Sequence, residues 1–344
     1  MRIQRSAATT VAAIVFASGI SSGGVRADSA ADFYKGKQVT MLVGVGLGSS
    51  YGTHSRLYTE ALKRYLPGKP NIVVQSMPGA GSAKMVNYLY NVAPKDGTVY
   101  GFPFKYVAVN QALGLSGLKY DANKFSYIGS FGPINSTVSL WSATSPAKTL
   151  EEARKHTVVM GSSGKSSETF ITPTLMNNLL GTKFKIVTGY KGAAPIQLAM
   201  ERGEVHGIAA SWDSLKAGKP DWMRDKKVVL IAQSGTKRNW DLPNLPTLLD
   251  LAQTPEQKEI LGFFARGNAV GWLTMLPPGV PADRVAAMRK AFDDVMKDAK
   301  YQAEIKKRGM DISPISGQEV QQLIKETLAV SPATMKKIKA AMGG

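Results

Sequence analysis

Three times along this chain a short apolar run enters a turn rich in glycine and hydroxyl residues, and a helical pattern follows. That repeated unit limits the fold more than any other feature. In the first instance Val39 to Val43 predicts a buried strand, Gly44-Val-Gly-Leu-Gly-Ser-Ser-Tyr-Gly52 is the turn, and Thr53 to Leu66 predicts a helix with Leu57, Ala61, Leu62 and Tyr65 on one face. In the second, Ile72 to Gln75 leads into Met77-Pro-Gly-Ala-Gly-Ser82 and a helix through Leu89. In the third, Val158 to Met160 leads into Gly161-Ser-Ser-Gly-Lys-Ser166 and a helix through Leu180. Alternating strands and helices predict an α/β fold with largely parallel sheets. A glycine turn opening a helix also leaves backbone N–H groups unpaired beside the positive end of the helix dipole, which favours an anion. One such turn merely reverses the chain. Three at strand carboxyl ends, where open α/β sheets bind ligands, predict a shared cleft for one small anionic ligand.

The remaining chain divides into two such sets. Thr98–Phe104, Ser126–Phe131 and Val138–Trp141 read as strands, Lys105 to about Gly114 as a helix, and Pro146-Ala-Lys-Thr-Leu150 as the start of another. Phe184–Val187, Val205–Ala210 and Val228–Gln233 read as strands, and Gly192–Arg202 as a helix. From Asn239 the texture changes. A proline-punctuated crossing at Asp241–Thr247 precedes a strand at Ala269–Leu276 and helices at Pro281–Lys297 and Gly317 to about Met342. The expected organisation is 28–130 plus 240–344 as one lobe and 131–239 as the other.

Several function classes are excluded or weakened. The 344 residues include no cysteine, which removes disulfides, thiolate metal sites and cysteine nucleophiles. Arg2 and Arg5, the apolar run Ala7 to Ile20 and the small residues of Val25-Arg-Ala27 predict a secretory signal peptide cleaved after Ala27. The run is shorter than the roughly 20 residues a membrane span needs. Losing Arg2, Arg5 and Arg26 lowers the formal charge from +18 to +15, 40 basic residues against 25 acidic. The lysines are scattered and no basic tail occurs, so solvated surface explains the charge better than nucleic acid does. Gly44, Gly46 and Gly48 do not fit G-x-G-x-x-G. Gly164-Lys-Ser166 lacks the earlier glycine of a phosphate-binding P-loop, since position 159 is Val. Ser162-Ser-Gly-Lys165 matches S-x-x-K, but no K-T-G accompanies it. His54, His156 and His206 lack zinc-ligand spacing. No base is placed beside Ser162, so an exported serine hydrolase is a weak alternative. His54, in the first turn of the first helix, is a candidate for ligand contact.

The ordered motifs resemble the solute-binding receptors of tripartite tricarboxylate transporters, the Bug family. They are Ser55-Arg56 after the glycine loop, Pro78-Gly-Ala-Gly81, Pro94-Lys-Asp-Gly97, Pro146-Ala-Lys-Thr-Leu150, Gly161-Ser-Ser-Gly164, Gly203-Glu-Val-His206, Leu245-Pro-Thr247 and Leu276-Pro-Pro-Gly-Val-Pro281. The resemblance implies a two-lobed periplasmic binding protein fold (type II-like). Each lobe would be a mostly parallel sheet flanked by helices, with a hinge between. The protein would be a non-catalytic periplasmic monomer, needing no metal or cofactor, that captures a small organic carboxylate and delivers it to transporter membrane subunits. A sensing role is the alternative. By the same resemblance the ligand contacts would be Ser49, Ser50, Tyr51, Gly79, Ala80, Gly81, Ser82, Ser162, Ser163, Gly164, Lys165, Ser166, Trp212 and Asp213, with Lys105, Tyr106, Tyr190 and Lys191 as additions. Two departures stand out. The first loop reads Gly48-Ser-Ser-Tyr-Gly52 where the family has G-G-G-T-D, and His206 replaces an Asp, which argues against an amino-bearing ligand. Tyr51, Tyr106, Tyr190 and Trp212 suit either an aromatic or larger acid, or packing in core and hinge.

Overall fold

The computed structural model describes residues 29–343; the expected signal peptide lies outside them. Helix α1 (Ala30–Tyr34) precedes β1 (Gln38–Val43), α2 (Ser50–Tyr65), β2 (Asn71–Ser76), α3 (Ala83–Asn91), β3 (Val99–Phe102), α4 (Val107–Leu113) and β4 (Ser126–Ser130). The chain then crosses to a second sheet. There β5 (Ser136–Trp141), α5 (Leu150–Lys155), β6 (Val158–Gly161), α6 (Glu168–Leu180), β7 (Phe184–Val187), α7 (Ala193–Glu201), β8 (Gly207–Ser211), α8 (Trp212–Gly218), α9 (Pro220–Arg224) and β9 (Val228–Ser234) follow. The return comprises α10 (Pro255–Val270), β10 (Leu273–Leu276), α11 (Ala282–Lys297), α12 (Ala299–Lys307), β11 (Ile315–Ser316), α13 (Gly317–Leu328) and α14 (Pro332–Ala341).

The first sheet has strand order β11-β4-β10-β3-β1-β2 and the second β7-β6-β8-β5-β9. Both are mixed but mostly parallel, as expected: β1, β2, β3 and β4 run one way in the first, and β6, β7, β8 and β9 one way in the second. The pairs β1·β2, β1·β3, β6·β7 and β6·β8 are parallel, whereas β10 runs against β3 and β4, and β5 against β8 and β9. The parallel pairs are joined through helices laid on their own sheet. Strands β5 and β10 instead arrive by crossing from the other sheet, and they enter from the opposite end.

Alternation along β1 shows why both faces are covered. Val39, Met41 and Val43 join a core with Tyr58, Leu62 and Phe292 from α2 and α11, while Leu42 points to Met85, Leu89 and Ile324 from α3 and α13. Each large apolar side chain so buried contributes about 1.5–3 kcal/mol. In the second sheet, Val158 and Met160 pack with Ile171 and Leu175 of α6, and Val159 lies on the opposite face with Ile196 and Trp222.

The return segment departs most from expectation. Residues 255–270 form a helix that the sequence reading missed, and the strand expected from Ala269 begins only at Leu273, after Gly271 at φ +58°. Helix α12 was also missed, and the expected final helix is two, divided where Ser331 caps α14 and Pro332 opens it. Helices α10 and α14 share a hydrophobic cluster with Leu175 and Met176 of α6, so this segment does not pack on the first sheet alone.

Candidate functional site

A crevice enclosing about 260 Å³ lies between the two sheets. One wall is the turn after β1, with Val45, Gly46, Gly48, Ser49 and Tyr51, joined by Gly81 and Phe104. The facing wall comes from the second sheet: Ser163 and Ser167–Thr169 at the start of α6, Lys191–Pro195 at the start of α7, and Ala209–Ser211 with Ser214 where β8 meets α8. Four helix N-termini therefore open on one space.

Three of them lack side-chain caps. Ser49 precedes α2, but its hydroxyl donates to the Gly46 carbonyl at 2.9 Å. Ser167 precedes α6, and its hydroxyl donates to the Gly164 carbonyl at 2.7 Å. Gly192, at φ +116°, precedes α7 and carries no side chain. In α2 and α6 the third first-turn amide already donates to the cap carbonyl, Gly52 to Ser49 and Phe170 to Ser167, each at 3.0 Å; the amides ahead of it remain for another acceptor, and the dipoles favour a negative one. Only α8 is capped, the Ser211 hydroxyl accepting from the Ser214 amide at 3.3 Å.

The floor is an ion pair between the two sheets. Lys105 Nζ donates to Glu168 Oε1 at 2.9 Å and to Ser136 Oγ at 3.1 Å. The Ser136 hydroxyl donates to Glu168 Oε2 at 2.5 Å, and the Ser234 hydroxyl to Oε1 at 2.9 Å. Burial lowers the Lys105 pKa, and the Glu168 carboxylate opposes that shift. The Tyr51 phenol is buried and has no hydrogen-bond partner among the described residues. Burial first, then the Glu168 charge, raises its pKa, so it stays a neutral donor.

Of the residues carried over from the family, Ser49, Tyr51, Gly81, Ser163 and Lys191 line the crevice, so each of the three turns reaches it. The others stand elsewhere. Ser50 is buried, its hydroxyl against that of Ser214 where α2 meets α8. Gly79 and Ala80 are exposed on the outer side of their turn. Ser82 is a brace: its hydroxyl donates to the Gly44 carbonyl at 3.0 Å and accepts from the Phe104 amide at 2.9 Å. Lys105 is buried behind Glu168 in the floor's ion pair and does not itself line the crevice, and Tyr106 is buried with its hydroxyl donating to Asn268 Oδ1 at 3.3 Å. Ser162 is fully buried, its hydroxyl accepting from the Gly164 amide and the Thr169 hydroxyl, so Ser162 itself is not exposed to the crevice. Gly164, Lys165 and Ser166 stay outside the lining, with Lys165 exposed and Ser166 accepting from Asn110 Nδ2 at its carbonyl at 3.3 Å. Tyr190 is half-buried against the core beneath α7. Trp212 donates from Nε1 to Asp241 at 2.9 Å, and Asp213 pairs with Lys216 at 3.4 Å.

The shift from Trp212-Asp213 to Ser211 and Ser214 has a simple cause. A helix begins at Trp212, so positions 211 and 214 share the crevice face while 212 and 215 turn into the core. His54 does not reach the crevice either; it stacks on Phe131 and packs at a tilt against Trp272 inside the first core. The sequence reading missed Glu168, Ser167, Thr169 and Phe104. A single Glu in a first helical turn is ordinary by itself. Its partner lies 63 residues earlier.

Two sheets joined by crossings, with a crevice walled from both sides, define the periplasmic binding protein class. Solved structures share the fold. Periplasmic binding protein BugD superposes with a TM-score of 0.71 at 20% identity, over 90% of this chain and 98% of its own. R. palustris Rpa4515 with adipate gives 0.70 at 19%, over 89% and 97%, and MatC from Rhodopseudomonas palustris with bound malate gives 0.68 at 19%, over 89% and 99%. Among curated proteins no sequence match is found. The model of the tripartite tricarboxylate transporter family receptor, TctC, matches residues 55–340, and the chain belongs to that family.

Proposed function

We propose that this protein is exported by residues 1–27 and acts in the periplasm as a receptor. It captures a small organic carboxylate between its lobes and delivers it to the membrane subunits of a tripartite transporter, without catalysing a reaction. Residues 28–130 plus 240–344 form one lobe and 131–239 the other, and the chain segments crossing between them are the hinge. The observation that carries this reading is the convergence of three uncapped helix N-termini, one from the first lobe and two from the second, on one crevice. A carboxylate held there bridges the lobes, and a ligand that touches both favours the closed state. Each charge-assisted hydrogen bond to it contributes about 1.5–3 kcal/mol. Adipate and malate in the relatives fit the same ligand class.

Thermal-shift screening of the mature protein against mono-, di- and tricarboxylates tests this, followed by calorimetry on Ser163→Leu. The half-buried Ser163 borders the crevice and holds Thr169 through its amide at 2.9 Å. The variant is expected to keep its fold and lose at least about tenfold in affinity. Unchanged affinity would place the ligand elsewhere.

A further inference from the structure

We propose that the ligand is a monocarboxylate with an apolar body, such as a single-ring or short branched acid, rather than a di- or tricarboxylate. This rests on the carboxylate reading above and narrows it. Between the amide-rich ends the walls are apolar: Val45, Phe104, Ala193, Pro195, Ala209 and Ala210. The charge inventory is short. Apart from the neutral Tyr51 phenol, the only ionisable lining residues among those described are Glu168 and Lys191. Lys105 already neutralises Glu168 at 2.9 Å, and both Glu168 oxygens accept serine hydroxyls. What remains is the exposed Lys191 ammonium, the uncapped helix N-termini and the unpartnered Tyr51 hydroxyl, which together serve one carboxylate. Among the described residues no arginine lines the crevice to fork a second one. A second carboxylate would lose its hydration against alanine and proline, or face Glu168, and neither compensates the cost of desolvating a charge. The volume agrees, since a cavity of roughly 150 Å³ holds benzene, and this one encloses about 260 Å³.

Calorimetry on the mature protein with benzoate and phenylacetate, against malate, adipate and citrate, decides the matter. Binding of either monocarboxylate at least about tenfold tighter than all three polyacids supports the proposal. Malate, adipate or citrate binding as tightly or more tightly overturns it while leaving the carboxylate receptor intact. Binding by none of the five overturns the carboxylate reading itself. A second variant checks the cause: Ala194→Lys, at an exposed wall position, adds the missing cation. It is expected to raise malate affinity relative to benzoate by about tenfold; an unchanged ratio contradicts the charge argument.

Discussion

Tyr51 and His54 lie one turn apart on α2, and burial acts on them in opposite directions. Tyr51 is kept neutral as a donor at the crevice. His54 is fully buried between Phe131 and Trp272, 5.4 and 4.6 Å between ring centres, with neither ring nitrogen hydrogen-bonded among the described residues. Burial pushes its pKa from 6.5 to about 3. The unfolded chain therefore takes up a proton below pH 6.5 that the folded protein refuses until about pH 3. His54 thus contributes no acid penalty above pH 6.5. Between there and pH 3 it removes up to about 1.4 kcal/mol of stability per pH unit as pH falls. His54→Phe is expected to abolish that contribution, so urea denaturation should show the variant gaining on the parent between pH 7.5 and pH 5. A stability difference that does not change with pH would mean that the imidazole is solvated and titrates alike in the folded and unfolded chain.

Among the elements, the short turn between β2 and α3 is the most constrained. Ala80, Gly81 and Ser82 all have positive φ, at 46°, 58° and 76°, a costly run for side-chain-bearing residues. The Ser82 bonds to Gly44 and Phe104 hold it. Gly81 then approaches the third turn so closely that a Cβ would stand 2.5 Å from Ser166 Oγ. Gly81→Ala is expected to hold the two turns apart and weaken ligand affinity by about tenfold or more. Gly181→Ala is the control: it carries similar backbone strain at φ +74°, meets nothing within 4 Å, and caps the far end of α6. Calorimetry should find affinity lost in the first variant only; equal loss in both would assign the effect to strain.

The same elements show what could be read from the chain itself. Glycine–hydroxyl turns are local signals, so the β1–α2, β2–α3 and β6–α6 units were legible from their own residues. Which serine faces the ligand was not. That depends on where each helix starts, and a shift of one residue at Ser211-Trp212 exchanges crevice for core. The α10 helix carried a start signal in Thr254-Pro255-Glu256-Gln257, with Thr254 accepting from the Gln257 amide at 3.1 Å. Its interior glycines obscured it. Gly267 is there because a Cβ would meet the Tyr106 ring at 2.4 Å, a tertiary need that lowers local helix propensity. The Lys105–Glu168 pair was illegible for a related reason: two ordinary charges acquire meaning only when the lobes bring them together.

For the molecule as a whole, the central claim is that the ligand sits where the lobes must part to release it. Besides the Gly81–Ser166 approach, the Ser50 and Ser214 hydroxyls meet across the crevice between α2 and α8. The chain has no cysteine, so a Ser50→Cys/Ser214→Cys variant has only that pair to oxidise. The two hydroxyls are in contact, so the sulfurs that replace them are placed to meet. The decisive measurement is the dissociation rate of a bound carboxylate from this variant, oxidised and then reduced. The prediction is slow exchange when oxidised and exchange like that of the parent once reduced. Equal rates in the two forms would show that the carboxylate leaves without the lobes opening, and would contradict capture between them.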